Sequence, residues 1–160
     1  MVQENHPPWH VHQNGIIYGD YMTSYSVMAV KKDGTIYTPA QGLMGKNLLA
    51  AGVKDTYNFG PVLIKDGEAQ LPWAETEKYY PRTAVGMVKP NDYVLLVTDT
   101  GSYNGLNHWD MVNIFKSYGC TYAYNLDGGG SATLYFNGKV MNKLIGNTQR
   151  PCADFLYFTR

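Results

Sequence analysis

The sequence has no excess of charge of either sign and no long apolar run. Thirteen Lys and Arg residues balance thirteen Asp and Glu residues, and only 16% of all residues are charged. This balance excludes the basic surface that is typical of nucleic-acid-binding proteins. No apolar run reaches the length of about 18 residues that a membrane-spanning helix needs. We therefore expect no nucleic-acid partner and no transmembrane segment.

Cysteine is scarce as well, because the chain contains only Cys120 and Cys152. Two cysteines cannot form a disulfide framework, and neither has a CxxC neighbour that would indicate a metal site. Two free thiols are the favoured interpretation, and a single bridge stays open. The residues after Met1 show neither a basic n-region nor an apolar h-region, so we expect no secretory signal in this stretch.

Glycine and tyrosine, in contrast, are abundant, with seventeen and fourteen residues. This composition is typical of sheet proteins with many turns. Tyrosine also suits sugar ligands, because it joins an apolar ring to a hydroxyl group. An apolar share of 44% over 160 residues predicts one folded domain. We place this domain at residues 16–160, after an irregular arm over residues 1–15.

Short apolar segments separated by turn dipeptides predict a sheet built mainly of hairpins. Asp33-Gly34, Asp66-Gly67 and Asn137-Gly138 are signals for type I′ hairpin turns. A short helix is predicted over residues 46–51. The predicted strands span residues 16–18, 25–30, 35–38, 61–65, 83–88, 93–98, 121–126, 132–136 and 153–158.

The segment 107–118 has the pattern of the main helix. Asn107 is a suitable N-cap, and the carboxylate of Asp110 favours the helix start. The succession of strand 93–98, this helix and strand 121–126 predicts a βαβ crossover with parallel strands. We therefore predict an α+β fold with a mixed, largely antiparallel sheet, one βαβ crossover and one main helix.

The most distinctive local feature is the run Asp127-Gly128-Gly129-Gly130-Ser131, directly after a predicted strand. Three consecutive glycines cost backbone entropy, so an unusual backbone or a closely approaching ligand must require them. Successive N–H groups in such a loop could form a concave anion site, or nest, flanked by Asp127 and Ser131. The alternative is a glycine-rich bulge in which Asp127 only caps a turn.

A second aspartate, Asp99, follows the strand that leads into the crossover. Ligands bind at the carboxyl ends of such strands, so we expect Asp99 and Asp127 to share one sheet edge. Two converging carboxylates are the catalytic groups of glycoside hydrolysis. The alternative is that Asp99 stabilises a local turn.

Two arginines are candidate anion-binding residues. Arg82 and Arg150 could each bind a phosphate or carboxylate with two parallel N–H donors. A structural ion pair is the alternative for Arg82. His10 and His12 would share one face of a strand, but we favour incidental histidines there. We predict no metal and no cofactor.

Four motifs taken together resemble the phosphodiester glycosidase family. The motif Asn-Leu-Asp-Gly-Gly-Gly-Ser is specific, the others support it, and the likeness covers most of the chain. Relatives usually carry an upstream Asn-Gly-Gly/Asp-Phe-Phe-like segment, so the resemblance implies that the N-terminal part of the domain is absent. Where relatives often read Asp-Gly-Arg, this chain reads Asp99-Thr100-Gly101. The motifs lie at residues 58–63, 81–86, 125–131 and 150–151.

The resemblance implies an α+β fold and hydrolysis of a sugar-1-phosphodiester at the glycosidic C–O bond. Free sugar and a phosphomonoester would be released. Asp99 or Asp127 would be the nucleophile or the base that activates water, and Arg82 with the nest at residues 128–131 would hold the phosphate. Arg150 is the next candidate for that role. The residues expected to orient sugar hydroxyls are Thr98, Asn125 and Ser131.

Two other functions would use the same residues. One is a non-catalytic carbohydrate or cell-envelope binding module, and the other is a phosphodiesterase that cleaves the P–O bond. Because polymers with sugar phosphodiesters lie largely in the cell envelope, the resemblance also implies secretion or surface display. The absent upstream strand would leave an open sheet edge, through which we expect a homo-oligomer to form.

Overall fold

The computed structural model describes residues 11–19, 26–43, 45–70, 78–99, 105–152 and 155–158, and the structural statements below concern these residues. The predicted α+β class is confirmed, with short strands and one main helix. The elements are β1 Val11–Gln13, β2 Ile16–Gly19, β3 Val27–Lys31, β4 Ile36–Tyr37, α1 Gly45–Ala50, β5 Val53–Asn58, β6 Val62–Lys65, β7 Glu68–Ala69, β8 Thr83–Lys89, β9 Asp92–Val97, α2 His108–Ser117, β10 Tyr122–Leu126, β11 Tyr135–Phe136 and β12 Lys139–Val140, with short 3₁₀ turns at Gly129–Ser131 and Ile145–Asn147.

The main sheet has five strands in the order β7-β6-β10-β8-β9, and each neighbouring pair is antiparallel. Strands β9 and β10 are joined by α2 and both run antiparallel to β8, so they run in the same direction. The predicted crossover is therefore present, but its two parallel strands are not neighbours. The reason is that β8 pairs with β9 as a hairpin and occupies the position between them.

A second sheet of three antiparallel strands, in the order β4-β3-β5, packs on one face of the main sheet. The β1–β2 hairpin lies beside β5, where the Gly15 N–H donates to the Lys54 carbonyl at 2.9 Å. The buried residues shared by the two sheets are Met28, Ile36, Val85, Met87, Tyr122 and Tyr124.

Helix α2 covers the opposite face of the main sheet. Its start is a capping box, in which Asn107 Oδ1 accepts the Asp110 N–H at 2.8 Å and Asp110 Oδ2 accepts the Asn107 N–H at 3.3 Å. This confirms the predicted N-terminus. Met111, Val112 and Phe115 are buried against the sheet. Among the described residues, no helix is long and apolar enough to cross a membrane.

Several local predictions differ from the structure. Strand β5 was not predicted, because Val53–Asn58 contains Lys, Asp and Asn and lacks a continuous apolar pattern. The strand predicted over 132–136 is limited to Tyr135–Phe136, since the Asn142 side chain, and not a neighbouring strand, bonds the Ala132 carbonyl and the Leu134 N–H. Residues 155–158 are not in a strand, and β1 lies within the arm that was predicted to be irregular.

Two of the three predicted type I′ turns have the expected backbone. Both residues of Asp66-Gly67 and of Asn137-Gly138 have positive φ, as this turn requires. At Asp33-Gly34 only Gly34 has positive φ, because Asp33 instead accepts the Thr35 N–H at 2.9 Å. The cysteines are free, with Cys120 buried and Cys152 exposed.

Replacing Gly86 with alanine should destabilise the fold. A Cβ atom at this position in β8 would lie 2.5 Å from Phe115 Cδ1 and 2.7 Å from Cys120 Sγ, and both side chains are buried. Such overpacking typically costs about 1–3 kcal/mol. Urea unfolding of Gly86→Ala should show this loss, whereas Asn113→Ala on the exposed face of α2 should leave the free energy of unfolding nearly unchanged.

Alkaline pH should also destabilise the protein, because burial raises the pKa of Tyr122 and of Tyr124 above the ordinary value of 10.0. A tyrosine with a higher pKa in the folded chain contributes its full stabilisation below the unfolded value and loses it as the pH rises toward the folded value. Urea midpoints should therefore fall above pH 10.0. The double variant Tyr122→Phe/Tyr124→Phe should lose most of this dependence and keep the part that comes from Tyr37, whose pKa burial also raises. Tyr118→Phe, at an exposed position, should retain the full dependence. Equal midpoints on both sides of that pH would contradict the prediction.

Candidate functional site

The candidate site lies at the edge of the main sheet where β10 and β9 end and β8 begins. Leu126 pairs with Thr83, and Thr83 pairs with Val97, so the three strands reach this edge together. The ladder continues by one step, because the Thr98 N–H donates to the Arg82 carbonyl at 2.9 Å. The Arg82 N–H in turn donates to Thr98 Oγ1 at 2.9 Å. The strand ends that carry the two predicted aspartates therefore share one edge.

The glycine loop docks directly onto the start of β8. The Gly129 N–H donates to the Pro81 carbonyl at 2.8 Å. A Cβ atom at Gly128 would collide with that same carbonyl oxygen, so only glycine fits there. Close backbone packing therefore explains why glycine is needed at position 128. At position 129 the reason is a φ of +57°, which favours glycine.

The predicted nest of successive N–H groups does not have the expected form. The Gly129 N–H donates to the Pro81 carbonyl, and the N–H groups of Ser131 and Ala132 donate within the 3₁₀ turn that the loop forms. Gly130 lies against Arg150, whose Cδ would be 3.6 Å from a Cβ atom at that glycine. The loop therefore supports the Arg150 side chain, and three of its backbone N–H groups are already bonded within the protein.

Three polar side chains meet above this loop, and we refer to Asp127, Ser131 and Arg150 as the Asp127 cluster. Ser131 Oγ donates to Asp127 Oδ2 at 2.8 Å, and Arg150 Nη2 lies 2.5 Å from the same oxygen. Arg150 also donates to Ser131 Oγ. The side chains of Arg150 and Asp127 are 52% and 48% exposed. Exposed pairs of this kind stabilise a fold by about 0–1 kcal/mol, so the cluster is accessible and not needed for folding.

Asp99 connects the same edge to a distant part of the chain. Its Oδ2 accepts the Lys143 N–H at 2.9 Å, across 44 positions of sequence. The alternative of a local turn at Asp99 involves residues 100–104, which lie outside the described residues. The hydrogen bond from Lys143 brings its segment to the strand end at which Asp99 lies.

Arg82 is half-buried and uses part of its guanidinium group within the protein. Its Nε donates to the Leu106 carbonyl at 3.1 Å and its Nη2 to the Lys78 carbonyl at 3.0 Å, and it stacks over the Tyr80 ring at 5.2 Å. Burial lowers the pKa of this guanidinium, which still stays protonated. The Arg82 acceptors among the described residues are backbone carbonyls, and Glu75 and Glu77 of the preceding segment lie outside those residues. Two of its five N–H donors hold neighbouring loops at the edge.

Asn125, predicted to orient a sugar hydroxyl, lies behind the edge instead of on it. Its side chain is 1% exposed and donates from Nδ2 to the Gly60 carbonyl at 2.7 Å. Its backbone N–H donates to the Pro61 carbonyl at 3.1 Å and its carbonyl accepts the Gly60 N–H at 3.1 Å. Asn125 therefore fixes the Gly60-Pro61 segment beside β10.

Sequence reasoning missed two residues that shape the site. Gly105 has a φ of +97°, and a Cβ atom there would collide with the Tyr80 carbonyl, so this glycine lets two loops approach. A glycine just before the N-cap Asn107 was an available signal. Lys143 contributes a backbone N–H to Asp99, which no residue-type pattern indicates.

Within the described ranges, no group of three or more His, Cys, Asp or Glu side chains is placed to hold a metal ion. The predicted pair of His10 and His12 is not tested, because His10 lies outside the described residues.

Comparison with curated proteins gives a prophage protein and an alpha-N-acetylglucosaminidase as relatives. The SPbeta prophage-derived uncharacterized protein YomE of Bacillus subtilis (strain 168) is 30% identical over 155 residues, which are 90% of this chain and 24% of that protein. The N-acetylglucosamine-1-phosphodiester alpha-N-acetylglucosaminidase of Mus musculus is 41% identical over 58 residues, which are 36% of this chain and 11% of that enzyme. The chain thus spans less than a quarter of the length of these relatives.

Comparisons with solved structures and with family models also give similar proteins. The zebrafish N-acetylglucosamine-1-phosphodiester alpha-N-acetylglucosaminidase catalytic domain, auto-inhibited by its pro-peptide, superposes with a TM-score of 0.67 at 22% identity, over 85% of this chain and 50% of that one. A hypothetical protein from Synechocystis gives 0.52 at 15% identity, over 81% and 33%. These likenesses show the fold, whereas the family model described as phosphodiester glycosidase matches residues 2–159. The chain therefore belongs to the phosphodiester glycosidase family.

Proposed function

We propose that this protein hydrolyses a sugar-1-phosphodiester at the glycosidic C–O bond and releases free sugar and a phosphomonoester. Family membership supports a hydrolase of the phosphodiester glycosidase kind. The observation that carries the finer proposal is the Asp127 cluster, where an accessible carboxylate and an accessible guanidinium lie 2.5 Å apart at the sheet edge. Such an edge offers a negative group for the sugar and a positive group for the phosphate.

The chemistry of the leaving group explains why this combination is suitable. A phosphomonoester has a second pKa of about 6, so it leaves without a strong general acid. The developing charge on the phosphate needs cations and N–H donors that are already in place. Arg150 supplies a guanidinium held by Asp127 and Ser131. The Gly128 and Gly130 N–H groups are the loop donors that we propose for the same phosphate.

We assign Arg150 as the principal phosphate-binding residue and Arg82 as its support. Arg150 is half exposed and lies against Gly130, whereas Arg82 already donates to two backbone carbonyls. The remaining Arg82 donors can still contact a bound phosphate from the β8 side. Thr98, whose Oγ1 accepts the Arg82 N–H, stays a candidate for a sugar hydroxyl.

Asp99 and Asp127 are the candidates for the group that acts on the sugar, as nucleophile or as the base that activates water. Both follow strands that end at the same edge. Asp127 is paired with Arg150, so a phosphate that binds Arg150 would compete for the guanidinium and release the carboxylate toward the sugar. Asp99 follows β9, accepts the Lys143 N–H, and would act from the other side of β8.

Replacing the essential carboxylate should abolish turnover without unfolding the protein. We expect Asp127→Asn or Asp99→Asn to lose at least about 100-fold in kcat, the usual scale for removing a general base. The assay measures sugar released from an aryl phosphodiester of N-acetylglucosamine. The matched control is Asp66→Asn at an exposed hairpin turn, which should keep full turnover. Full turnover by both Asp99→Asn and Asp127→Asn would overturn the assignment.

The two arginines should respond differently to substitution. Arg150→Ala should lose about 100-fold in turnover with an unchanged melting temperature, because its ion pair is exposed. Arg150→Lys should recover only part of this loss, since lysine lacks the fork of parallel donors. An Arg150→Ala protein with normal turnover would show that the phosphate is held elsewhere.

Arg82→Ala should lower both turnover and stability. Two backbone carbonyls would lose a charged donor, which typically costs about 1–3 kcal/mol. Urea unfolding and steady-state kinetics on the same preparation measure the two effects. Unchanged stability would mean that the contacts to Leu106 and Lys78 do not hold the loops.

A further inference from the structure

The segment after the glycine loop forms an exposed hairpin beside the candidate site. Strands β11 and β12 pair Tyr135 with Val140 and Phe136 with Lys139, around the Asn137-Gly138 turn. We call residues 135–140 the aromatic hairpin. It pairs with no third strand among the described residues.

Hydrogen bonds join the two ends of this hairpin to each other and to Asp99. Asn142 Nδ2 donates to the Ala132 carbonyl at 2.9 Å, and Asn142 Oδ1 accepts the Leu134 N–H at 2.7 Å. The next residue, Lys143, donates its N–H to Asp99. The hairpin is therefore fixed at its base between the glycine loop and one of the two candidate carboxylates.

The hairpin exposes large apolar side chains that take no part in a core cluster. Tyr135 is 67% exposed, Phe136 is 66% exposed, and Val140 is 38% exposed. Since neighbouring residues of a strand point to opposite faces, each face of the hairpin carries one aromatic ring. A two-stranded hairpin gains little stability on its own, and exposed apolar patches of this kind mark ligand or partner sites.

All charged residues in the longer segment that contains the hairpin, residues 128–152, are positive. Residues 128–152 contain Lys139, Lys143 and Arg150 and no Asp or Glu, although the whole chain has a net charge of zero. Arg150 is paired with Asp127, so the charges that this segment adds beside its aromatic rings are those of the exposed Lys139 and Lys143. Rings suit the apolar faces of sugars, and the positive charge suits repeated phosphate groups.

We infer that the aromatic hairpin binds an anionic glycan, a polymer of sugars joined or substituted by phosphodiesters, and holds it next to the scissile bond. The inference rests on the proposed function, because it extends the same site outward to further units of the substrate. The rings contact sugar units, while Lys139 and Lys143 neutralise phosphates between them. A second copy of this chain is a less suitable occupant, because two such surfaces would bring positive charges together.

The test compares three probes by isothermal titration calorimetry. They are a short N-acetylglucosamine oligomer whose phosphodiester links are replaced by C-glycosyl phosphonates that the protein cannot hydrolyse, a neutral N-acetylglucosamine oligomer of equal length, and a linear polyphosphate without sugar. The first should bind most tightly, and its affinity should fall with added salt. Tyr135→Ala and Phe136→Ala should each weaken it about tenfold, the scale of one aromatic contact. Phe155→Ala, at an aromatic residue that is 77% exposed outside this segment, is the matched control and should bind normally.

Turnover of the aryl phosphodiester separates this inference from the proposed function, because that small substrate does not reach the hairpin. Tyr135→Ala and Phe136→Ala should keep its kcat and KM, with unchanged melting temperatures. Failure of the wild-type protein to hydrolyse it would count against the proposed function alone. The inference is overturned if the charged oligomer binds no tighter than polyphosphate, if the variants bind it like the wild type, or if light scattering shows a dimer that the variants lose.

Discussion

The close contact between the glycine loop and the start of β8 is the constraint on which the rest of the site depends. The Gly129 N–H reaches the Pro81 carbonyl only because Gly128 has no side chain to collide with it. This contact turns the chain sharply after β10 and places Asp127 at the edge next to Arg82. A larger residue at position 128 would push the loop away from β8 and separate the groups that the proposed chemistry needs.

After this contact the chain leaves the sheet edge and later returns to it. It leaves the loop as the aromatic hairpin, is fixed by Asn142 and by the N–H of Lys143, and returns where Arg150 meets Asp127. This segment therefore begins and ends on the same few residues. A local backbone requirement in the glycine run thus organises a surface much larger than the loop itself.

Sequence reasoning succeeded where the physical cause was local. The capping box of α2 and the turn at Asn137-Gly138 depend on neighbouring residues, and both are present as predicted. The positions of Arg82 and Asn125 were not predictable in the same way, because their partners are carbonyls of distant loops. Strand β5 was missed because its polar residues are paired within a sheet that only the tertiary structure supplies.

The central claim is that water attacks the sugar carbon and not the phosphorus atom. The most direct measurement is hydrolysis of the aryl phosphodiester of N-acetylglucosamine in isotopically labelled water, followed by mass spectrometry of both products. The account predicts that the heavy oxygen enters the released sugar and that the phosphomonoester stays unlabelled. Label in the phosphate would show P–O cleavage, and the absence of any turnover alongside tight glycan binding would show a binding module; either result would contradict the account.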